Sequence, residues 1–87
     1  MVAMSTVFRL HGLRVVIYPP PREHSPPHVH VFGSTGQVII HLPVEGRAHV
    51  VRRVMGMKQA EVAKAERVVV DNAEMLLRRW GEIWRTK

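Results

Sequence analysis

Near Lys58 the hydrophobic period of this 87-residue chain changes from two to between three and four, and this change constrains the fold more than any other feature. Before it, apolar and polar residues alternate in short runs separated by Gly and Pro. After it, Val62, Ala65, Val69, Ala73, Leu76, Trp80 and Ile83 or Trp84 recur at helical spacing, with Lys, Glu and Arg between them. A chain that is β-rich over 6–54 and helical over 58–86 is expected to form one α+β domain over 1–87. Its two layers are an antiparallel sheet of four to five strands and one long C-terminal helix packed against it. Roughly 28 helical residues would extend about 42 Å, whereas a six-residue strand spans about 20 Å. The helix is therefore expected to overhang the sheet or to bend, and Val68 to Val70 followed by Asp71-Asn72 is the place for a bend.

The strand half reads as hairpins. Val7 to Leu10 and Leu13 to Tyr18 flank His11-Gly12, where Gly supplies the positive φ of a tight turn. Arg9 then opposes Arg14. Phe8, Leu10, Leu13, Val15 and Ile17 share a core face, and Val7, Arg9, Arg14, Val16 and Tyr18 share a mixed, partly wet one. Pro19 to Pro27 holds five prolines and is excluded from a central strand. It leads into Pro26-Pro27-His28-Val29-His30-Val31, where the prolines enforce extended backbone and the alternation sends two imidazoles to one face and two valines to the other. His28 to Phe32 and Gln37 to Leu42 form a second hairpin around Gly33-Ser34-Thr35-Gly36. That register opposes Phe32 to Gln37, His30 to Ile39 and His28 to His41, which gathers three histidines on one face. Ala48 to Val54 reads as an edge strand that His49, Arg52 and Arg53 protect from pairing with other chains.

Composition narrows the setting. Without cysteine there is neither a disulfide nor a thiolate zinc site, and a cytoplasmic protein is expected. No leader pattern opens the chain and no apolar run approaches the roughly 20 residues that span a bilayer, so no membrane partner is expected. The net charge of +6, from 13 Lys and Arg against 7 Asp and Glu, is concentrated in the strand half and favours an acidic partner such as RNA.

Three chemistries suit these residues. Histidine titrates near neutrality, so His28 and His30 can act as an acid and base pair on RNA, with Arg14 stabilising a phosphorane-like transition state and Tyr18 positioning or donating. Alternatively, His28 and His30 chelate a divalent transition metal, with His41, His24 or Glu23 completing the set. In the third reading the domain binds without chemistry. Arg9 and the helix end bearing Trp80, Ile83 and Trp84 then meet a second copy of the chain, as a homodimer, or a small partner protein.

The succession Gly12-x-Arg14, an aliphatic run ending in Tyr18, Glu23-His24, Pro26-Pro27-His28-Val29-His30-Val31 and Leu76-Leu77-x-x-Trp80-x-Glu82 resembles the prokaryotic domain of unknown function 4160 family over nearly the whole chain. In that family an aromatic residue is usual at the position of His41, so the third histidine is a feature of this chain. The resemblance implies no established activity. It does imply pairing with a second small gene, which places the domain in a two-gene, toxin and antitoxin-like module whose expected action is to bind or cleave RNA. The alternative is a metal-binding or protein-interaction regulatory domain without catalysis.

Overall fold

The structure is a computed structural model that describes residues 5–18 and 26–85. Strands β1 (Ser5–Leu10), β2 (Leu13–Ile17), β3 (His28–Phe32), β4 (Gln37–His41) and β5 (Val50–Met55) lie side by side in chain order as one antiparallel sheet. Helices α1 (Gln59–Asp71) and α2 (Ala73–Arg85) follow. The α+β class and the antiparallel sheet are as the periodicity predicts, but the single long helix is not.

Asn72 divides the helix at the place where a bend was expected. Its backbone leaves helical geometry at φ −117° and ψ 19°, its N–H reaches both Val68 O and Val69 O at 3.2 Å, and its Nδ2 donates to Val68 O at 2.8 Å. The Asn72 carbonyl then accepts the Leu76 N–H at 2.9 Å and starts α2. A short amide side chain that bonds to nearby backbone competes with helix continuation, which suits asparagine to this boundary. Each 13-residue piece is about 20 Å long, close to the length of the strands. The overhang vanishes, and with it the geometric reason to expect a second copy over the helix end.

The apolar face of the sheet is closed. Leu13, Val15, Ile17, Val29, Val31, Val38, Ile40 and Leu42 pack with Met57, Ala65, Val68, Val69, Leu76 and Trp80. Each fully buried aliphatic residue contributes about 1.5–3 kcal/mol over an exposed one. The expected pairs Arg9 with Arg14, His28 with His41, His30 with Ile39 and Phe32 with Gln37 all form. Both residues of the first turn have positive φ, His11 at 54° and Gly12 at 78°, which is the geometry a two-residue hairpin favours.

Three placements correct the sequence reading. A register shift between Thr6 and Phe8 lets Val7 pack on the core beside Phe8, although strict alternation assigned it to the wet face. Leu10, at the end of edge strand β1, is 39% exposed rather than core. Val16 lies on the face opposite the helices, in register with His30, yet it is fully buried.

Glu61, in the first turn of α1, fastens the helix to the β3–β4 loop. Its carboxylate accepts from Ser34 N at 2.8 Å, Thr35 N at 3.0 Å and both hydroxyls. The Thr35 hydroxyl also accepts the Lys58 N–H at 2.9 Å. A Cβ at position 33 would collide with the Glu61 carboxylate, so only glycine leaves room for this clasp. The hydrogen bonds from Thr35 and Ser34 hold the Glu61 carboxyl down at about 2.

Candidate functional site

The two-residue period that buries valines on one face directs the other half of each strand to the face turned away from the helices. Three cross-strand rows result. Arg9, Arg14, Phe32 and Gln37 form the first, Val16, His30, Ile39 and Arg53 the second, and His28, His41 and Val50 the third. Tyr18 meets His30 edge-on, with ring centroids 4.6 Å apart and planes at 89°.

The histidines do converge. The His28 ring lies 5.4 Å from His30 and 6.0 Å from His41 between centroids. An open cleft of about 260 Å³ is lined by these three side chains with Pro26, Arg52 and Arg53. Arg52 reaches it because β5 carries one extra residue there: Ile39 pairs with Arg53, Ile40 pairs with Val51, and Arg52 falls between them. Bulges re-aim side chains in this way. The Arg52 guanidinium donates to His41 Nε2 at 3.3 Å.

The hydrogen bonds distinguish the three imidazoles. The Pro26 carbonyl can only accept, so the 2.9 Å contact places a proton on His28 Nδ1 and leaves Nε2 for other partners. The Trp80 indole backs that ring at 5.1 Å between centroids, so the end of the core supports the site. His30 is half-buried, and burial lowers its pKa; a hydrogen bond with Gln37 opposes the shift and the nearby His28 adds to it. Burial is also the leading cause of the lowered pKa of His41, followed by the Arg52 guanidinium and His28. His30 and His41 are thus held toward their neutral forms.

Charge is segregated between the layers. None of the five strands contains Asp or Glu, whereas they carry Arg9, Arg14, Arg52, Arg53 and the three histidines. Five of the seven carboxylates of the chain lie on α1 and α2.

The residues singled out from the sequence therefore separate into groups. His28, His30, His41 and Tyr18 are together. Arg14 is not with them: its guanidinium lies over the Phe32 ring at 4.8 Å, in a second cleft of about 410 Å³ shared with Arg9. Trp80 is only 8% exposed and belongs to the chain's own core, Trp84 stacks on it at 4.4 Å, and Ile83 packs against the same cluster. Glu23 and His24 lie outside the described residues. Among the described residues no three His, Asp or Glu side chains are grouped so as to hold a metal ion. Sequence reasoning missed Arg52 and Arg53 as site residues. The broken alternation of Val50-Val51-Arg52-Arg53-Val54 was the available signal, since two like residues in succession mark a shift of face.

Fold and site together define a small α+β domain with a basic, histidine-bearing sheet face. A family model described as a domain of unknown function, DUF4160, matches residues 12–81, and the chain belongs to that family. No curated protein and no solved structure matches it.

Proposed function

We propose that the open sheet face binds single-stranded RNA. The carrying observation is the charge segregation: strands without a carboxylate present two arginines at each side of a field that holds Tyr18, Phe32 and three imidazoles. Phosphates are attracted by guanidinium groups, and unpaired bases stack on aromatic and guanidinium planes. From β2 to β5 the sheet is about 14 Å across, given about 4.8 Å between neighbouring strands. This width suits a few nucleotides of an extended strand. A nucleic-acid-binding partner in a two-gene module is the cellular role this reading gives the domain.

The test is the salt dependence of binding. A fluorescent single-stranded oligoribonucleotide titrated with the protein should show affinity falling steeply with salt. Combined Arg52→Ala and Arg53→Ala should reduce the slope of log affinity against log salt by about 1.4, with similar losses across sequences. Affinity independent of salt and of these arginines would refute the reading.

A second reading rests on the edge of β5, where Val50 is 54% and Val54 is 46% exposed beside a groove against α1 lined by Val51, Met57 and Val62. An extended segment of a partner protein could add to this edge. In that case Val54→Lys would abolish partner binding and leave RNA binding intact.

A further inference from the structure

Resting on the RNA-binding reading, we infer that the cleft between Pro26 and Arg53 cleaves RNA without a metal, with His30 as general base, His28 as general acid, and Arg52 and Arg53 as the charge-stabilising groups. This differs from the constellation expected from the sequence, because the arginine over Phe32 is replaced by the pair on β5 and Tyr18 only supports the His30 ring.

The geometry assigns each role. His30 is half-buried edge-on against Tyr18, and that burial, with His28 close by, outweighs the opposing Gln37 hydrogen bond and favours the neutral imidazole a base requires. His28 keeps Nδ1–H on the Pro26 carbonyl, a bond that survives when Nε2 is also protonated, so the ring stays oriented while Nε2 gives up its proton. The two rings are 5.4 Å apart between centroids, a scale on which they can address two oxygens of one phosphate from either side. His41 is unsuited to the acid role because its Nε2 accepts from Arg52. It serves instead as a positioning residue that holds the guanidinium beside the cleft. The cleft lining contains no carboxylate to repel a phosphate.

The reaction balances within the substrate. The ribose 2′-oxygen loses its proton to His30 and forms a bond to phosphorus. The bond from phosphorus to the 5′-oxygen of the next nucleotide breaks, and His28 protonates that oxygen. The products are a 2′,3′-cyclic phosphate and a free 5′-hydroxyl. Arg52 and Arg53 stabilise the added negative charge on the phosphorane oxygens. No oxidant, reductant or water enters this step.

The experiment uses the full chain, excess over a 5′-labelled single-stranded oligoribonucleotide, in a chelator. Expected are shorter products ending in a 2′,3′-cyclic phosphate, while the all-deoxy oligonucleotide of the same sequence is bound and left whole. His30→Ala and His28→Ala should each lower the cleavage rate at saturating protein by about 10²–10⁴-fold. His30→Asn, of similar polarity, repeats the test should His30→Ala unfold, and circular dichroism verifies each fold. Bound but uncut RNA at saturating protein would overturn the inference and leave the binding reading standing. Absence of binding would remove both. Cleavage undiminished in the variants, or lost only with the chelator, would also overturn it.

Discussion

Adjacent residues on the same strands of this sheet have opposite fates. Val29, Val31, Val38 and Ile40 are fully buried beneath the helices, whereas His28, His30, Ile39 and His41, one position along, remain partly accessible on the reverse face. The first face is committed to stability. The second is not required for closing the core and is free to carry charge and imidazole groups. In a domain of this size, with a total stability of roughly 5–15 kcal/mol, the separation is economical because changes on one face need not disturb the other. Val16 and His28 mark its limit, since Val16 is fully buried although it belongs to the His30 face, and the His28 ring packs against Trp80 of the core.

The largest test of the comparison sets Ile40→Ala beside Ile39→Ala. The first should cost about 2–5 kcal/mol and bring the chain close to unfolding, by the loss of apolar transfer and the cavity left behind. Ile39→Ala should cost less than half as much. Urea denaturation of the two variants checks this, and equal losses would break the division between faces.

A test of intermediate size concerns the clasp that joins the hairpin tip to α1. The Glu61 carboxyl has a pKa of about 2 in the folded chain against an ordinary 4.5. Unfolding therefore takes up a proton between these values, and stability falls as pH drops through them. The contribution is complete above pH 4.5 and gone below about 2. In Glu61→Gln this acid-sensitive part should disappear, giving a flatter melting-temperature profile between pH 5 and 2 and a lower melting temperature at neutral pH. A variant with the acid profile unchanged would show that other carboxylates set it.

The smallest effect is expected at the site itself. His41→Ala should change stability by about 0.5 kcal/mol, the range of substitutions outside the core, because its ring is partly accessible and the hydrogen bond from Arg52 is long. Thermal melts of this variant beside Ile40→Ala would sharpen the comparison. A loss as large as that of Ile40→Ala would make the histidine face structural.

Much of this was legible in advance. The period of two, the His11-Gly12 turn and the four-residue second loop set the pairing of His28 with His41 and of Arg9 with Arg14, since a one-residue slip would expose the valines. The change of period at Lys58 placed the helical segment, and the β-branched run before Asp71-Asn72 marked its weak point. Other features were hidden because they depend on contacts between distant segments. The Glu61 clasp joins side chains 26 and 27 residues apart, and no local pattern distinguishes Glu61 from other acidic residues in a first helical turn.

The sequence by itself determined which residues of β3 and β4 face the core, because side-chain direction on an unbroken strand follows from position alone. Only the tertiary structure decided which arginines stand beside the histidines. Arg14 and Arg52 are equally basic, but strand order and the extra residue in β5 carry Arg52 to His41 and leave Arg14 over Phe32. It also decided that Trp80 and Trp84 turn inward, Trp80 packing in the core with its ring against His28 and Trp84 stacking on it. Alternation specifies a face, but neighbours across strands depend on register shifts whose cost is settled by the packing of the whole sheet.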